Sequence, residues 1–268
     1  MSAQASAGEQ SLLLVGESWF SHTIHTKGFD SFTTSTYEEG CGDFVAALES
    51  RGWAVDHIPS HLVDTKMPST AEALSRYAVV ALSDVGSNTF LLGRQTFTRG
   101  QVAPDLLELI AAYTTGGGGL VMVGGYMSFS GIDGTARYGQ TCLQEVLPVT
   151  VSAGDDRVER PAGVTPAIHL PGHPTVAAIT GPWPRLLGYN RLTARPPGEV
   201  VASCGNDPLL AVGAFGRGRS VAFASDLGPH WAPAEFTSWE GYPALWHGIA
   251  SWAAGLDLSA EMSHKEEL

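Results

Sequence analysis

The chain is short of cysteine, of basic residues and of long apolar runs, and each shortage removes a class of function. Its three cysteines, Cys41, Cys142 and Cys204, lie far apart in 268 residues. They match no zinc-ligand spacing and are too few for a disulfide framework. So sparse a set fits a reducing cytoplasm. Lys and Arg number 15 against 27 Asp and Glu, a net charge of −12. Nucleic-acid backbones and anionic lipid both need a basic surface, so neither is an expected partner. The acidity reads as a solubility feature. No stretch approaches the roughly 18 apolar residues of a membrane span. The opening MSAQASAGEQ has neither the basic nor the apolar region of a signal peptide.

A phosphate loop is missing as well. Gly116–Gly119 precede an apolar run, whereas a phosphate cradle needs its glycines between a strand and a helix N-terminus. The segment GGYMSFSGIDG, from Gly124, is better placed but lacks both the lysine and the G-x-G-x-x-G spacing. No nucleotide and no other cofactor is expected.

What is present is an alternation of strand and helix signals. SLLLVG, WAVDHIP, AVVALSD and LVMVGG are apolar runs that read as four buried strands. A long loop follows the first. Thr36 and Glu39 have the spacing of a capping box. The helix it opens would put Tyr37, Cys41, Phe44, Val45 and Leu48 on one core-facing stripe. A short helix is expected over 69–77, and another after Pro104, ended by four glycines. Near-continuous apolar strands joined by helices imply a parallel sheet covered on both faces. With right-handed crossovers, the expected α/β fold is a flavodoxin-like doubly wound sheet.

The second half is richer in Pro and Gly. Residues 149–207 read as an irregular antiparallel extension, and 208–226 as a hairpin around GRGR. A last helix carries Tyr242, Trp246, Ile249 and Trp252 on one face and stops at Gly255. Residues 1–268 are read as one domain: a core over 11–148, an insertion over 149–207 and a closing hairpin and helix over 208–256.

In open α/β sheets, ligands bind beyond the carboxyl ends of the strands. There the sequence places Glu17, Ser18, Trp19 and His22 after the first strand. Asp84, Ser87 and Asn88 follow the third, and Tyr126 and Ser128 the fourth. Asp226, His230 and Trp231 follow the last. Four segments would bring acids, imidazoles, hydroxyls and aromatics to one rim. Glu17, Tyr126 and His230 are the candidate catalytic groups. Ser18, Trp19, His22, Asp84, Asn88, Ser128, Asp226 and Trp231 are candidate substrate contacts. A carboxylate directly after a buried strand is placed where desolvation raises its pKa toward general-acid range. The flat rings of Trp19, Tyr126 and Trp231 suit stacking on sugars. His22 and His25 form a lone H-x-x-H, too little by itself for a metal site.

The motifs GESW, LSDVGSNTFLL, GGYMSFSGIDGTARYGQT and GRGRSVAFASDLGPHWAP together resemble a bacterial family of glutamine amidotransferase-like cytoplasmic proteins. The resemblance runs over about 12–256. It implies a class I amidotransferase-like fold, related to that of the trehalose-utilisation proteins, with a turn after the fourth strand where that superfamily carries its nucleophile. Glutamine hydrolysis there uses a cysteine thiolate, a histidine and an orienting acid. Tyr126 occupies the cysteine's position. Its phenol, with an ordinary pKa near 10, is a poor nucleophile for an amide. The resemblance also implies a catalytic role for His230, although Ala232 stands where the usual glutamate would be; Asp226, Glu17 or Glu235 are the candidate replacements. The expectation is therefore a protein without glutaminase activity. Its pocket would take a sugar or sugar-acid-like molecule, with acid–base chemistry, or it would be a non-catalytic binding or assembly protein. A homo-oligomer is expected, with the Trp-rich C-terminal helix as a candidate interface.

Overall fold

Burial of apolar runs sets the centre of the fold. The structure, a computed structural model, describes residues 10–256. Strand β1 (Ser11–Gly16) has Leu12 to Val15 enclosed on both faces. The hairpin β2 (Ser18–Lys27) and β3 (Asp30–Glu39) comes next, then helix α1 (Gly42–Glu49) and strand β4 (Ala54–Ile58). Short helices α2 (Val63–Lys66) and α3 (Ala71–Leu74) lead to β5 (Val79–Ser83). Helices α4 (Ser87–Leu91), α5 (Arg94–Phe97) and α6 (Leu106–Thr115) precede β6 (Gly119–Val123).

Small strands make up the irregular segment: β7 (Val149–Thr150), β8 (Arg157–Val164), β9 (Ala167–Ile168), β10 (Leu186–Asn190) and β11 (Thr193–Ala194). The longer β12 (Glu199–Cys204), β13 (Asp207–Phe215) and β14 (Gly218–Phe223) follow, then α7 (Ala234–Thr237) and α8 (Tyr242–Ala253).

The main sheet runs β4-β1-β5-β6-β14-β13-β12-β9. The strands β4, β1, β5, β6 and β14 are parallel, and β13, β12 and β9 extend the sheet antiparallel. Numbered among themselves, the parallel strands have the order 2-1-3-4-5, that of the flavodoxin-like sheets. β5 and β6 are buried throughout, as covering helices on both faces require. The turn Gly216–Arg217 joins β13 to β14, with Gly216 at φ 61°. The α/β reading of the sequence holds.

Three local readings fail. The loop after β1 is instead a hairpin of two ten-residue strands, turning at Gly28 with φ 64°. Its side chains face solvent, so it lacks the apolar alternation by which a half-buried strand is recognised. Thr36 and Glu39 lie in β3 and cap no helix; α1 begins at Gly42, with Cys41 at its N-cap and no side-chain cap. The Trp-rich helix α8 is not an exposed face. Trp246 is buried edge-on to Phe44 and Phe223, each at 5.0 Å, and Trp239 and Trp252 pack against the core. Pro104 lies one residue before the cap of α6, where the Asp105 carboxylate accepts from the Leu107 and Glu108 amides at 2.9 and 3.1 Å.

Candidate functional site

Parallel register delivers three carboxylates to one rim. Gly16 lies opposite Ser83, Ser83 opposite Val123, and Phe223 opposite Val123. The strands therefore end at one level, and the residues just beyond them meet. Glu17 follows β1, Asp84 follows β5 and Asp226 lies three residues past β14. Glu17 and Asp226 are fully buried, and Asp84 is largely so.

The backbone is strained at this rim. Glu17, Asp84 and His230 adopt left-handed φ values of 47°, 43° and 89°. Such conformations cost non-glycine residues roughly 1–3 kcal/mol each and collect at functional sites. Glu17 is locked there by its amide on the Ser83 carbonyl (2.8 Å) and by the Gly40 amide on its own carbonyl (3.0 Å).

The three acids are unequally served. The Glu17 Oε2 accepts from the Ser83 hydroxyl at 2.6 Å, whereas its Oε1 is buried without a partner. Burial, reinforced by the charge of Asp84, pushes the Glu17 carboxyl up to about 8. The Asp226 Oδ1 accepts from the Leu227 amide at 2.9 Å and its Oδ2 has no hydrogen bond. Burial, then the charges of Glu17 and Asp84, hold Asp226 well above the usual carboxylate range. Burial also raises Asp84, but the Met127 amide donates to its Oδ1 at 2.6 Å, and His230 opposes the rise. Asp84 is thus the best placed of the three to carry the negative charge. Close like charges cannot all ionise, so near neutral pH Glu17 holds a proton, and Asp226 is pushed in the same direction.

His230 sits over this cluster with its side chain part-exposed. Its Nδ1 lies 3.9 Å from the Asp226 Oδ2, and among the described contacts Glu235 makes none with it. Trp19 and Tyr126 flank the imidazole at centroid distances of 5.2 and 5.6 Å. The Arg157 guanidinium lies 5.1 Å from the Tyr126 ring. Burial and the neighbouring Glu159 raise the Tyr126 phenol, so it stays protonated and donates.

The turn after β6 departs from a nucleophile elbow. Only short 3-10 turns follow it before β7, no α-helix, and Tyr126 itself is not left-handed; the positive angles fall on Gly125 (147°), Phe129 (51°) and Gly131 (73°). A Cβ on Gly125 would lie 2.7 Å from the Asp84 Oδ1, so only glycine lets the turn approach that carboxylate. The turn is held from beneath by Asn190 and Asp156, which sequence reading missed. The Asn190 Oδ1 accepts from the Gly125 amide at 3.0 Å, and its Nδ2 donates to Asp156 at 2.8 Å. Asp156 also accepts from the Ser130 and Gly131 amides at 2.9 and 2.8 Å.

Glu17, Trp19, Asp84, Tyr126, Asp226 and His230 come together. Ser128 joins them as a support, its Oγ accepting from the Asp84 amide at 3.1 Å. Trp231 is buried behind Tyr126 and donates to the Glu159 Oε2 at 3.1 Å, so it presents no open ring face. Three candidates do not join. Ser18 is pinned to Ser60 by the Ser60 amide at 2.8 Å. His22 lies out on the hairpin, bonded to Ser35 at 2.8 Å, and Asn88 is exposed on α4. His22 and His25 are three apart on a strand, hence on opposite faces, and cannot chelate together. Two surface cavities, of about 460 and 540 Å³, are lined by other residues, Asp64 and Phe90 in one and His169 and Asp207 in the other. Among the described residues, one group brings three metal-ligand atoms within 4.8 Å of one another: Glu39, Cys41 and His57.

A family model described as "Putative glutamine amidotransferase" matches residues 11–255. The chain is similar to cytoplasmic protein STM3548 of Salmonella typhimurium, with 44% identity over 90% of this chain and 98% of that one, and a TM-score of 0.88. It is equally similar to cytoplasmic protein STM1381 of Salmonella typhimurium LT2, with 45% identity, 91% and 99% coverage and a TM-score of 0.87. A ThuA-like protein from Bacteroides uniformis shares the fold, at 12% identity, 94% coverage of both chains and a TM-score of 0.56. No curated protein matches the chain.

Proposed function

The chain belongs to the glutamine amidotransferase-like family, and from that premise we propose that it does not hydrolyse glutamine but performs acid–base chemistry on a small polar molecule, a sugar or sugar acid. The observation that carries this is the convergence of three buried carboxylates, two of them on strained backbone, beneath His230 and Tyr126. A neutral buried Glu17 is a proton donor at physiological pH. His230, on Asp226, is the matching base, and the protonated Tyr126 orients a substrate oxygen. Trp19 and Tyr126 offer the ring faces for a sugar. The reaction is that of a hydrolase, lyase or isomerase. Both Salmonella neighbours are named as cytoplasmic proteins, which supports a cytoplasmic location.

A thermal-shift panel of sugars, sugar acids, amino acids and glutamine tests the reading. A ligand of the native state raises the melting temperature by mass action. The expected result is a shift with a sugar or sugar acid that disappears in Tyr126→Phe and Glu17→Gln. A shift with glutamine, accompanied by ammonia release, would overturn it.

A second reading concerns assembly. Among the described residues the β2–β3 hairpin pairs with no other strand, and Phe20, Ile24, Phe29 and Phe32 are exposed on it. A lone two-stranded hairpin is marginal in water, and an open apolar edge invites pairing. We propose that the hairpin packs on a second copy of the chain. Light scattering should then give at least twice the chain mass of 28.2 kDa, falling to one in the Ile24→Lys, Phe32→Lys double variant. A monomeric wild type at micromolar concentration would end this reading.

A further inference from the structure

The run Asp155-Asp156-Arg157-Val158-Glu159 sets one cation against the aromatic wall of the carboxylate cluster. Extended backbone sorts the five side chains. Asp156 and Val158 are buried, whereas Asp155, Arg157 and Glu159 face outward. Asp156 ties the run to the turn of Tyr126 through the Ser130 and Gly131 amides. That tie brings the neighbouring Arg157 over Tyr126, its guanidinium carbon 5.1 Å from the ring centroid. On the reading of the cluster as an acid–base centre, we propose that Arg157 binds a carboxylate of the substrate, so that the protein acts on a sugar acid and not on a neutral sugar.

One edge of the guanidinium is taken and the other is open. Nε and Nη2 donate to the Asp155 carboxylate at 3.0 and 2.7 Å. Asp155 is anchored in turn, accepting from the Asp133 amide at 3.0 Å and the Arg157 amide at 3.1 Å. The guanidinium plane is therefore held in one setting. Among the described residues, no carboxylate oxygen comes within hydrogen-bond distance of Nη1. The Glu159 Oε1 stands 3.8 Å from it, while the Oε2 of the same side chain accepts from the Trp231 indole at 3.1 Å. Nη1 and the second Nη2 hydrogen form the two-donor edge that a planar carboxylate matches.

Charge narrows the ligand to a monoanion. Among the described residues, no other Arg or Lys makes an ion pair or ring contact with Glu17, Trp19, Asp84, Tyr126, Asp226 or His230. An anion entering the site has this one partner. Repulsion is limited, because Glu17 keeps its proton near neutral pH and the half-exposed Glu159 is screened by water. A phosphate would bring nearly two negative charges, with nothing to offset the second. A carboxylate on Arg157 sets the rest of the ligand beside Tyr126, whose ring lies 5.6 Å from that of His230. Arg157 is thus a specificity-determining residue and takes no part in proton transfer.

Calorimetric titration of the full chain with matched ligands tests this. Glucuronate, galacturonate and gluconate are compared with glucose, galactose and glucitol; glucose 6-phosphate and glutamine form separate arms. At least one acid should bind roughly tenfold or more tightly than its neutral counterpart. Arg157→Gln should lose roughly tenfold to a hundredfold of the acid's affinity and leave that of the neutral sugar unchanged. Arg157→Lys, which keeps the charge without the two-donor edge, should fall between. The unchanged neutral arm separates lost recognition from lost folding. An acid bound equally by wild type and Arg157→Gln, tighter binding of the phosphate, or no binding of any acid would overturn the proposal. Neutral sugars bound as well as the acids would also overturn it, yet leave the acid–base reading standing. Glutamine binding with ammonia release would remove that reading instead, and this proposal with it.

Discussion

Glu17→Gln is expected to flatten the pH dependence of stability and to make the protein more stable than wild type at pH 9. In the unfolded chain this carboxyl titrates near 4.5; in the fold it is raised to about 8. Between those values the native state keeps a proton that the unfolded state has lost. The contribution is therefore fully present below pH 4.5 and is lost as pH rises through about 8. A displacement of that size corresponds to roughly 5 kcal/mol, so a loss of about 3–5 kcal/mol is expected across the window. Glutamine keeps the shape and never ionises. It also lifts one of the charges that raise Asp226, which works in the same direction. Near pH 5 the two proteins should differ by no more than about 1–2 kcal/mol, the scale of one imperfectly paired buried polar group. Urea denaturation at intervals from pH 5 to pH 9 measures both curves. Parallel curves would show that Glu17 does not hold its proton in the native state.

Asp156→Ala is expected to cost about 3–6 kcal/mol and to dismantle the turn that carries Tyr126. Asp156 is buried and accepts from the Ser130 amide, the Gly131 amide and the Asn190 side chain. Alanine removes the acceptor and leaves three buried donors, each at about 1–3 kcal/mol if no water reaches it. Asn190 would then lose half of the hold by which it fixes the Gly125 amide. Asp156→Asn should be intermediate, because its carbonyl oxygen can still accept while its amide nitrogen meets a donor. Denaturant midpoints rank the three proteins, and near-ultraviolet circular dichroism reports the setting of Tyr126 and Trp231, which are in contact at 5.5 Å. A cost below about 1 kcal/mol for alanine would mean that the turn is held by other contacts.

Parts of the candidate site were legible before the fold was seen. Glu17, Asp84, Tyr126, Asp226 and His230 were all identified by one rule, that ligands gather beyond the carboxyl ends of parallel strands. The rule fails for Ser18, His22 and Asn88: Ser18 is drawn to Ser60, a hairpin carries His22 away and a helix turns Asn88 outward. The rule could not find Asn190 and Asp156, because they lie in the irregular segment and act on a turn some 65 and 25 residues distant. No local signal marks such a pair. Cys41 was read as a packed thiol on a helix stripe. Its burial is as expected, but its neighbour His57 comes from the strand after the helix, 16 residues on.

The sequence by itself determined the sheet. Continuous apolar runs such as Leu12–Val15 and Val79–Leu82 can be buried only on both faces, and helices between them force parallel crossovers. Tyrosine in place of the elbow cysteine was likewise a matter of sequence, since a phenol is a phenol wherever it is folded. Tertiary structure alone decided which carboxylates are denied water, which backbone positions are left-handed, and which thiol faces an imidazole. Desolvation and strain arise between residues as distant as Glu17 and Ser83, 66 apart, once the register of the strands has brought them into contact.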